Sequence, residues 1–82
     1  MSYIQIPDIP QDISLGKPIV RLVGEDGNVF NLLGVCRNAM RRYQKVDPNY
    51  NAEMNYDEMF KEVEQGDFDN ALQVMMGWLH VR

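Results

Sequence analysis

Residues 29–43, VFNLLGVCRNAMRRY, contain the most regular apolar pattern in the chain. Apolar side chains recur there every three or four residues, at Val29, Leu32, Leu33, Cys36, Met40 and Tyr43. Because an α-helix turns once every 3.6 residues, this spacing places them on one face. Asn28 precedes the pattern and is suited to cap the helix. The stretch predicts an amphipathic helix of about four turns, around which the rest of the domain packs.

Two further helices are predicted downstream. Asn55 is the expected cap of the second helix, whose apolar stripe is Tyr56, Met59, Phe60 and Val63. Gly66 is expected to end it in a left-handed conformation, and Asp67 to cap the third helix. The apolar stripe of the third helix is Phe68, Ala71, Leu72, Met75 and Leu79. Gly77 leaves open whether residues 78–81 continue this helix or form a strand.

The segment before the first helix contains one strand signal. Residues 19–23, IVRLV, are mostly β-branched and lie between Pro18 and Gly24, which is typical of a short strand. Its partner is expected to be the C-terminus, residues 3–6, or the same strand of a second copy. Residues 1–16 contain Pro7 and Pro10, which disfavour a helix and indicate an extended arm.

These elements predict an α+β fold. Three helices are expected to pack on a short two-stranded antiparallel sheet, as a single domain over residues 17–82 with the proline-bearing arm at 1–16. A chain of 82 residues has no room for a second domain. The predicted core is Val20, Leu22, Leu32, Leu33, Cys36, Met40, Phe60, Val63, Leu72 and Met75.

Composition narrows the class of protein. With 45% hydrophobic and 24% charged residues the chain is expected to fold, and no apolar run approaches the roughly 20 residues that span a bilayer. No secretion signal is recognisable, and the one cysteine, Cys36, fits a reducing compartment. We therefore expect a cytoplasmic protein without a membrane partner.

Charge is distributed unevenly along the chain. Residues 1–46 contain six basic and four acidic residues, whereas residues 47–82 contain two basic and eight acidic ones. One candidate surface is an acidic face on the second helix, formed by Asp57, Glu58, Glu62 and Glu64. Another is a basic stripe on the first helix, formed by Arg37, Arg41, Arg42 and Lys45. The simpler interpretation is that both are solvated surfaces, with Asp57 paired to Lys61.

Residues able to support catalysis are few. Cys36 lies on the apolar stripe of the first helix, so its thiol is expected to pack in the core. His80 has no other metal ligand at a recognisable spacing. We therefore expect no catalytic, cofactor or metal site and no enzymatic activity. Phe30 and Trp78 lie off the main apolar stripes and are candidate anchors of a protein interface.

Two stretches carry a resemblance. They are V-x-L-x-G-E-D-G-N-x-F at residues 20–30 and G-D-F-D-x-x-L-x-x-M-x-x-W at residues 66–78. Together they resemble a group of small uncharacterised proteins of phages and conjugative elements. The resemblance covers about residues 17–81 and implies an origin on a mobile element, where small proteins often bind a host or defence component. It assigns no activity and no functional residues.

The expected function is that of a non-catalytic interaction protein which binds, and modulates or inhibits, a host or defence protein. An alternative is a binder of a small ligand or signalling nucleotide at a homodimer interface. A third interpretation is direct nucleic-acid binding through the basic stripe, against which the acidic net charge of −4 argues.

Overall fold

The structure is a computed structural model that describes residues 10–22 and 28–82. In chain order the elements are a single 3₁₀ turn at Ile13–Leu15, strand β1 at Ile19–Val20, helix α1 at Val29–Val46, helix α2 at Ala52–Val63, helix α3 at Phe68–Trp78, and strand β2 at His80–Val81. Residues 1–9 of the predicted arm and residues 23–27, from the end of the predicted strand to the cap Asn28, lie outside the described residues. Each predicted helix is present, and the C-terminal ambiguity resolves as a helix through Trp78 followed by a strand.

The two strands are parallel, so the predicted antiparallel sheet is wrong. Ile19 lies opposite His80 and Val20 opposite Val81. The His80 amide donates to the Pro18 carbonyl at 2.7 Å, and the Arg82 amide donates to the Val20 carbonyl at 2.8 Å. Parallel strands require a long crossover connection rather than a tight hairpin, and the three helices between β1 and β2 supply it.

The outer edge of β1 is closed by a side chain. Gln11 Oε1 accepts from the Ile19 amide at 2.7 Å, and Gln11 Nε2 donates to the Ile19 carbonyl at 2.9 Å. One side-chain amide thus replaces a neighbouring strand. The expected extended arm is also interrupted, because Asp12 caps the 3₁₀ turn and Gly16 ends it with a φ of 75°.

Helix α1 buries the face that its sequence predicts. Asn28 Oδ1 accepts from the Phe30 amide at 2.8 Å and caps the helix. Leu32, Leu33, Cys36, Met40 and Tyr43 are buried, together with Ala39. Val29, at the first turn, is half-buried. The helix continues to Val46, one turn beyond the last residue of the predicted stripe.

Helix α2 begins one turn earlier than predicted. Asn51, not Asn55, is its cap and accepts from the Met54 amide at 3.0 Å. The Ala52 amide donates to Gln44 Oε1 at 2.8 Å, and the Ala52 side chain is buried. The added turn is favoured because it buries Ala52 and gives two helix amides their acceptors.

The prediction of a left-handed Gly66 is also wrong, because Gly16 is the one glycine with positive φ among the described residues. Gly66 is instead required by a close approach. A Cβ at this position would lie 2.5 Å from Asn70 Nδ2 and 2.6 Å from Asn70 Cβ. Asp67 caps α3 as predicted and accepts from the Asn70 amide at 2.9 Å.

The core joins all three helices to β1. Of the predicted core residues, Leu22, Phe60 and Leu72 are only partly buried and pack against its margin, whereas the others are buried. Residues that the prediction omitted are buried as well: Ile19, Ala39, Tyr43, Ala52, Met59, Ala71 and Leu79. Within the described residues, no helix combines the length and apolarity that crossing a bilayer requires.

We predict that Gln11→Ala lowers the free energy of unfolding by about 1 to 3 kcal/mol, because it leaves the backbone groups of buried Ile19 without their side-chain partner. Urea unfolding of the purified chain measures this. Gln73→Ala, an exposed glutamine on α3, is the matched control and should change stability little. Equal stability of the two variants would contradict the proposed role of Gln11.

Gly34 and Gly66 should respond oppositely to alanine. Gly34 lies in the exposed middle of α1, and a Cβ there meets no atom within 4 Å, so Gly34→Ala should stabilise the protein by about 1 kcal/mol. Gly66→Ala should destabilise it by about 1 to 3 kcal/mol, because Asn70 must move. Thermal or urea unfolding of both variants decides this, and a stabilised Gly66→Ala variant would contradict the close approach.

Candidate functional site

A concave apolar groove lies where the N-terminus of α1, the C-terminus of α2 and the N-terminus of α3 meet. Its volume is about 240 Å³. Its lining comprises Val29, Phe30, Leu33, Phe60, Val63, Glu64, Gly66, Asp67, Phe68 and Ala71. Leu33, Val63 and Ala71 are buried, whereas Phe30 and Phe68 are 73% and 44% exposed. The groove therefore combines buried aliphatic residues with two exposed aromatic rings.

The helix caps place these two aromatic residues at the groove. Asn28 caps α1 immediately before Val29 and Phe30, and Asp67 caps α3 immediately before Phe68. Side chains in the first turn of a helix have no preceding helical turn to pack on. The short connection between α2 and α3, in which Gly66 permits the close approach of Asn70, places Phe68 in the same groove as Phe60 and Val63 of the preceding helix.

A row of aromatic rings leads from the groove along α2. The rings of Phe60 and Tyr56 have centroids 6.0 Å apart, and the guanidinium of Arg37 lies 5.4 Å from the centroid of Tyr56. Arg37 thus contributes a cation–π contact between α1 and α2. Phe30, Gly34, Arg37 and Arg41 are all exposed and follow one another along α1 at helical spacing.

The basic stripe does not act as one uniform surface. Arg37, Arg41 and Lys45 are exposed and Arg42 is half-buried. Arg37 is engaged with Tyr56, while Arg41 borders a polar depression at the far end of α1, beside Gln44, Tyr50 and Glu53. The stripe is therefore divided between two environments.

That polar depression contains one unusual group. The Tyr50 hydroxyl is buried and has no hydrogen-bond partner among residues 10–22 and 28–82, and burial raises the pKa of Tyr50 to about 12. The Tyr50 ring packs edge to face on Tyr43 with centroids 4.9 Å apart. The amides of Ala52 and Met54 at the start of α2 already donate to Gln44 and Asn51, so they are not available to an anion.

The acidic face is divided as well. Asp57, Glu58, Glu62 and Glu64 are all exposed. Glu58 pairs with Lys61 at 3.8 Å, in place of the expected pair between Asp57 and Lys61, and Glu62 Oε2 accepts from Trp78 Nε1 at 3.0 Å. Glu64 alone of the four lines the apolar groove.

The two predicted anchors occupy different positions. Phe30 is the most exposed of the large apolar side chains that the structure describes. Trp78 is half-buried, packs against the core, and is fixed by its hydrogen bond to Glu62. Phe68, which the sequence placed on the buried stripe of α3, is 44% exposed. Its position directly after the cap Asp67 was the signal that distinguishes it from the later residues of that stripe.

The two residues considered for chemistry, Cys36 and His80, lie in the core and in β2, respectively. Cys36 is fully buried, and burial raises the pKa of its thiol from an ordinary value of 9.0 to about 12. His80 lies in β2, where its backbone amide bonds to Pro18. Within residues 10–22 and 28–82 no cluster of three or more histidine, cysteine or carboxylate side chains is arranged to hold a metal ion.

Comparisons of the chain with protein-family models, with curated proteins and with solved structures find no significant match. The resemblance to small proteins of phages and conjugative elements therefore remains a prediction from the two motifs.

We predict that Cys36 reacts with Ellman's reagent at pH 8 about a thousandfold more slowly in the native chain than in urea, because its higher pKa lowers the thiolate fraction. A Cys36→Ala, Gln73→Cys variant places the thiol on the exposed face of α3 and should react rapidly when folded. Comparable native rates for the two chains would contradict the burial of Cys36.

The raised pKa of Cys36 also means that its thiol ionises at lower pH in the unfolded state than in the folded state. The free energy of unfolding should therefore fall as pH rises from about 9 towards 12.

Proposed function

We propose that this chain is a small non-catalytic interaction protein that binds a protein partner through the apolar groove. The observation that carries this proposal is the pair of exposed rings, Phe30 and Phe68, at a concave apolar surface. Large aromatic side chains beside an apolar depression are typical anchors of protein interfaces. In this proposal Phe30, Phe68 and the groove form the central contact, and the aromatic row towards Arg37 extends it.

The size of the groove favours a partner side chain over a small ligand. Pockets for small molecules commonly enclose about 300 to 1,000 Å³ and cover most of the ligand. The groove is smaller, at about 240 Å³, and has few polar groups to orient a nucleotide. A partner protein would insert an apolar side chain here and cover the flanking rings with the rest of its surface.

The resemblance to proteins of phages and conjugative elements supplies the biological part of the proposal. In this proposal the protein acts in the host cytoplasm on a host or defence protein, whose activity is modulated by the occupation of its surface. Such a mechanism needs no reactive group on this chain and depends only on the complementarity of the two surfaces.

Affinity capture from a bacterial lysate tests the groove. The variant Phe30→Ser, Phe68→Ser should recover its specific partner at least tenfold less than the unmodified chain, because both interface anchors are removed. The control Met54→Ser, Met76→Ser removes two side chains that are 57% and 54% exposed but do not line the groove.

Urea unfolding of each variant checks that the fold is retained, as expected for exposed positions. The control should capture the partner as well as the unmodified chain does. Equal capture by the groove variant would overturn the proposed binding site.

A further inference from the structure

The groove has a defined electrostatic character in addition to its apolar surface. Within the described part of the chain, the charged residues that line it are both acidic, Glu64 and Asp67. Asp69, which follows Phe68 at the start of α3, is acidic and exposed. A docking segment therefore meets apolar surface bordered by carboxylates.

The two carboxylates that line the groove differ in how well they are compensated. Asp67 Oδ1 accepts from the Asn70 amide at 2.9 Å, and its charge lies at the positive end of the α3 dipole. Glu64 follows the last residue of α2, at the negative end of that helix. Lys61, one turn away, is directed to Glu58 at 3.8 Å. Glu64 is thus the carboxylate whose charge needs a cation when a partner removes its water.

We propose, on the basis of the proposed function, that the groove accepts a partner segment whose apolar side chain is flanked by lysine or arginine. The apolar side chain fills the depression between Phe30 and Phe68, and the basic residue pairs with Glu64. A segment flanked by acidic residues is disfavoured, because it would bring like charges together at Glu64 and Asp67. Charge complementarity thus adds selectivity to an otherwise nonspecific apolar contact.

A second copy of this chain is the competing occupant. Its cationic surface includes Arg41 and Lys45 on α1, next to the exposed Val46. A contact between that surface and the groove joins two different patches, so it generates a ring or a filament unless it is made reciprocally about a two-fold axis. A different protein with a basic-flanked apolar segment satisfies the groove without any self-assembly of this chain.

The test uses the full chain and three synthetic amphipathic peptides of equal length. One has a leucine face flanked by lysines, the second has the lysines replaced by glutamates, and the third has the leucines replaced by alanines. Titrations followed by ¹⁵N NMR should show saturable shifts at Phe30, Gly66 and Phe68 with the lysine–leucine peptide. The other two peptides should bind at least tenfold more weakly. Raising NaCl from 50 to 300 mM should lower the affinity of the lysine–leucine peptide.

Charge variants test the proposed pairing with Glu64 separately from the apolar contact in the groove. The Glu64→Gln variant should bind the lysine–leucine peptide at least threefold more weakly than the unmodified chain does. The Glu53→Gln variant, changed at the opposite end of α2, should bind it equally well. Absence of saturable shifts at the groove, equal binding of the glutamate peptide, or an unchanged affinity of the Glu64→Gln variant would overturn the inference.

A sedimentation experiment on the peptide-free chain tests the competing occupant, because concentration-dependent growth that Phe30→Ser abolishes would assign the groove to a second copy. The capture experiment distinguishes failure of the proposed function from failure of the charge preference. If the Phe30→Ser, Phe68→Ser variant still captures the partner, the groove is not the binding site. If that variant loses the partner but Glu64→Lys retains it fully at low salt, only the inferred charge preference is wrong.

Discussion

The parallel pairing of β1 with β2 is the constraint on which the rest of this small fold depends. Ile19 and Val20 are each 1% exposed, and Leu79, the residue before β2, is fully buried. The pairing joins the beginning of the domain to its end, and all three helices lie in the connection between the two strands. Within the described residues β1 has β2 as its one neighbouring strand, and at its other edge the Gln11 side chain makes the hydrogen bonds with Ile19.

This closure fixes the arrangement of the helices. The buried face of α1 contacts β1 on one side and α2 and α3 on the other, with Cys36, Met40, Met59 and Met75 fully buried between them. Methionine suits this position because its unbranched side chain fills the irregular space between helices. Cys36 is one of these fully buried side chains, and burial raises the pKa of its thiol to about 12.

The groove follows from the same arrangement. Three helix ends meet at one place, and the first turns of α1 and α3 leave Phe30 and Phe68 exposed there. The acidic helix face contributes Glu64 to this site, while Glu62 and Glu58 take part in contacts with Trp78 and Lys61. Two residues of the acidic face thus make contacts within the fold, and its C-terminal residue, Glu64, adds to the negative charge of the proposed binding surface.

The sequence by itself determined the three helices and most of their buried faces, because apolar spacing and the caps Asn28 and Asp67 act within a few residues. It also identified Phe30 as an exposed anchor candidate, since that residue lies off the stripe of α1. The cap Asn51 was missed because its advantage over Asn55 depends on the burial of Ala52 and on Gln44, eight residues away. The parallel strand direction and the role of Gln11 were decided only by the tertiary structure. Each depends on which distant segments meet, and local propensity carries no information about that.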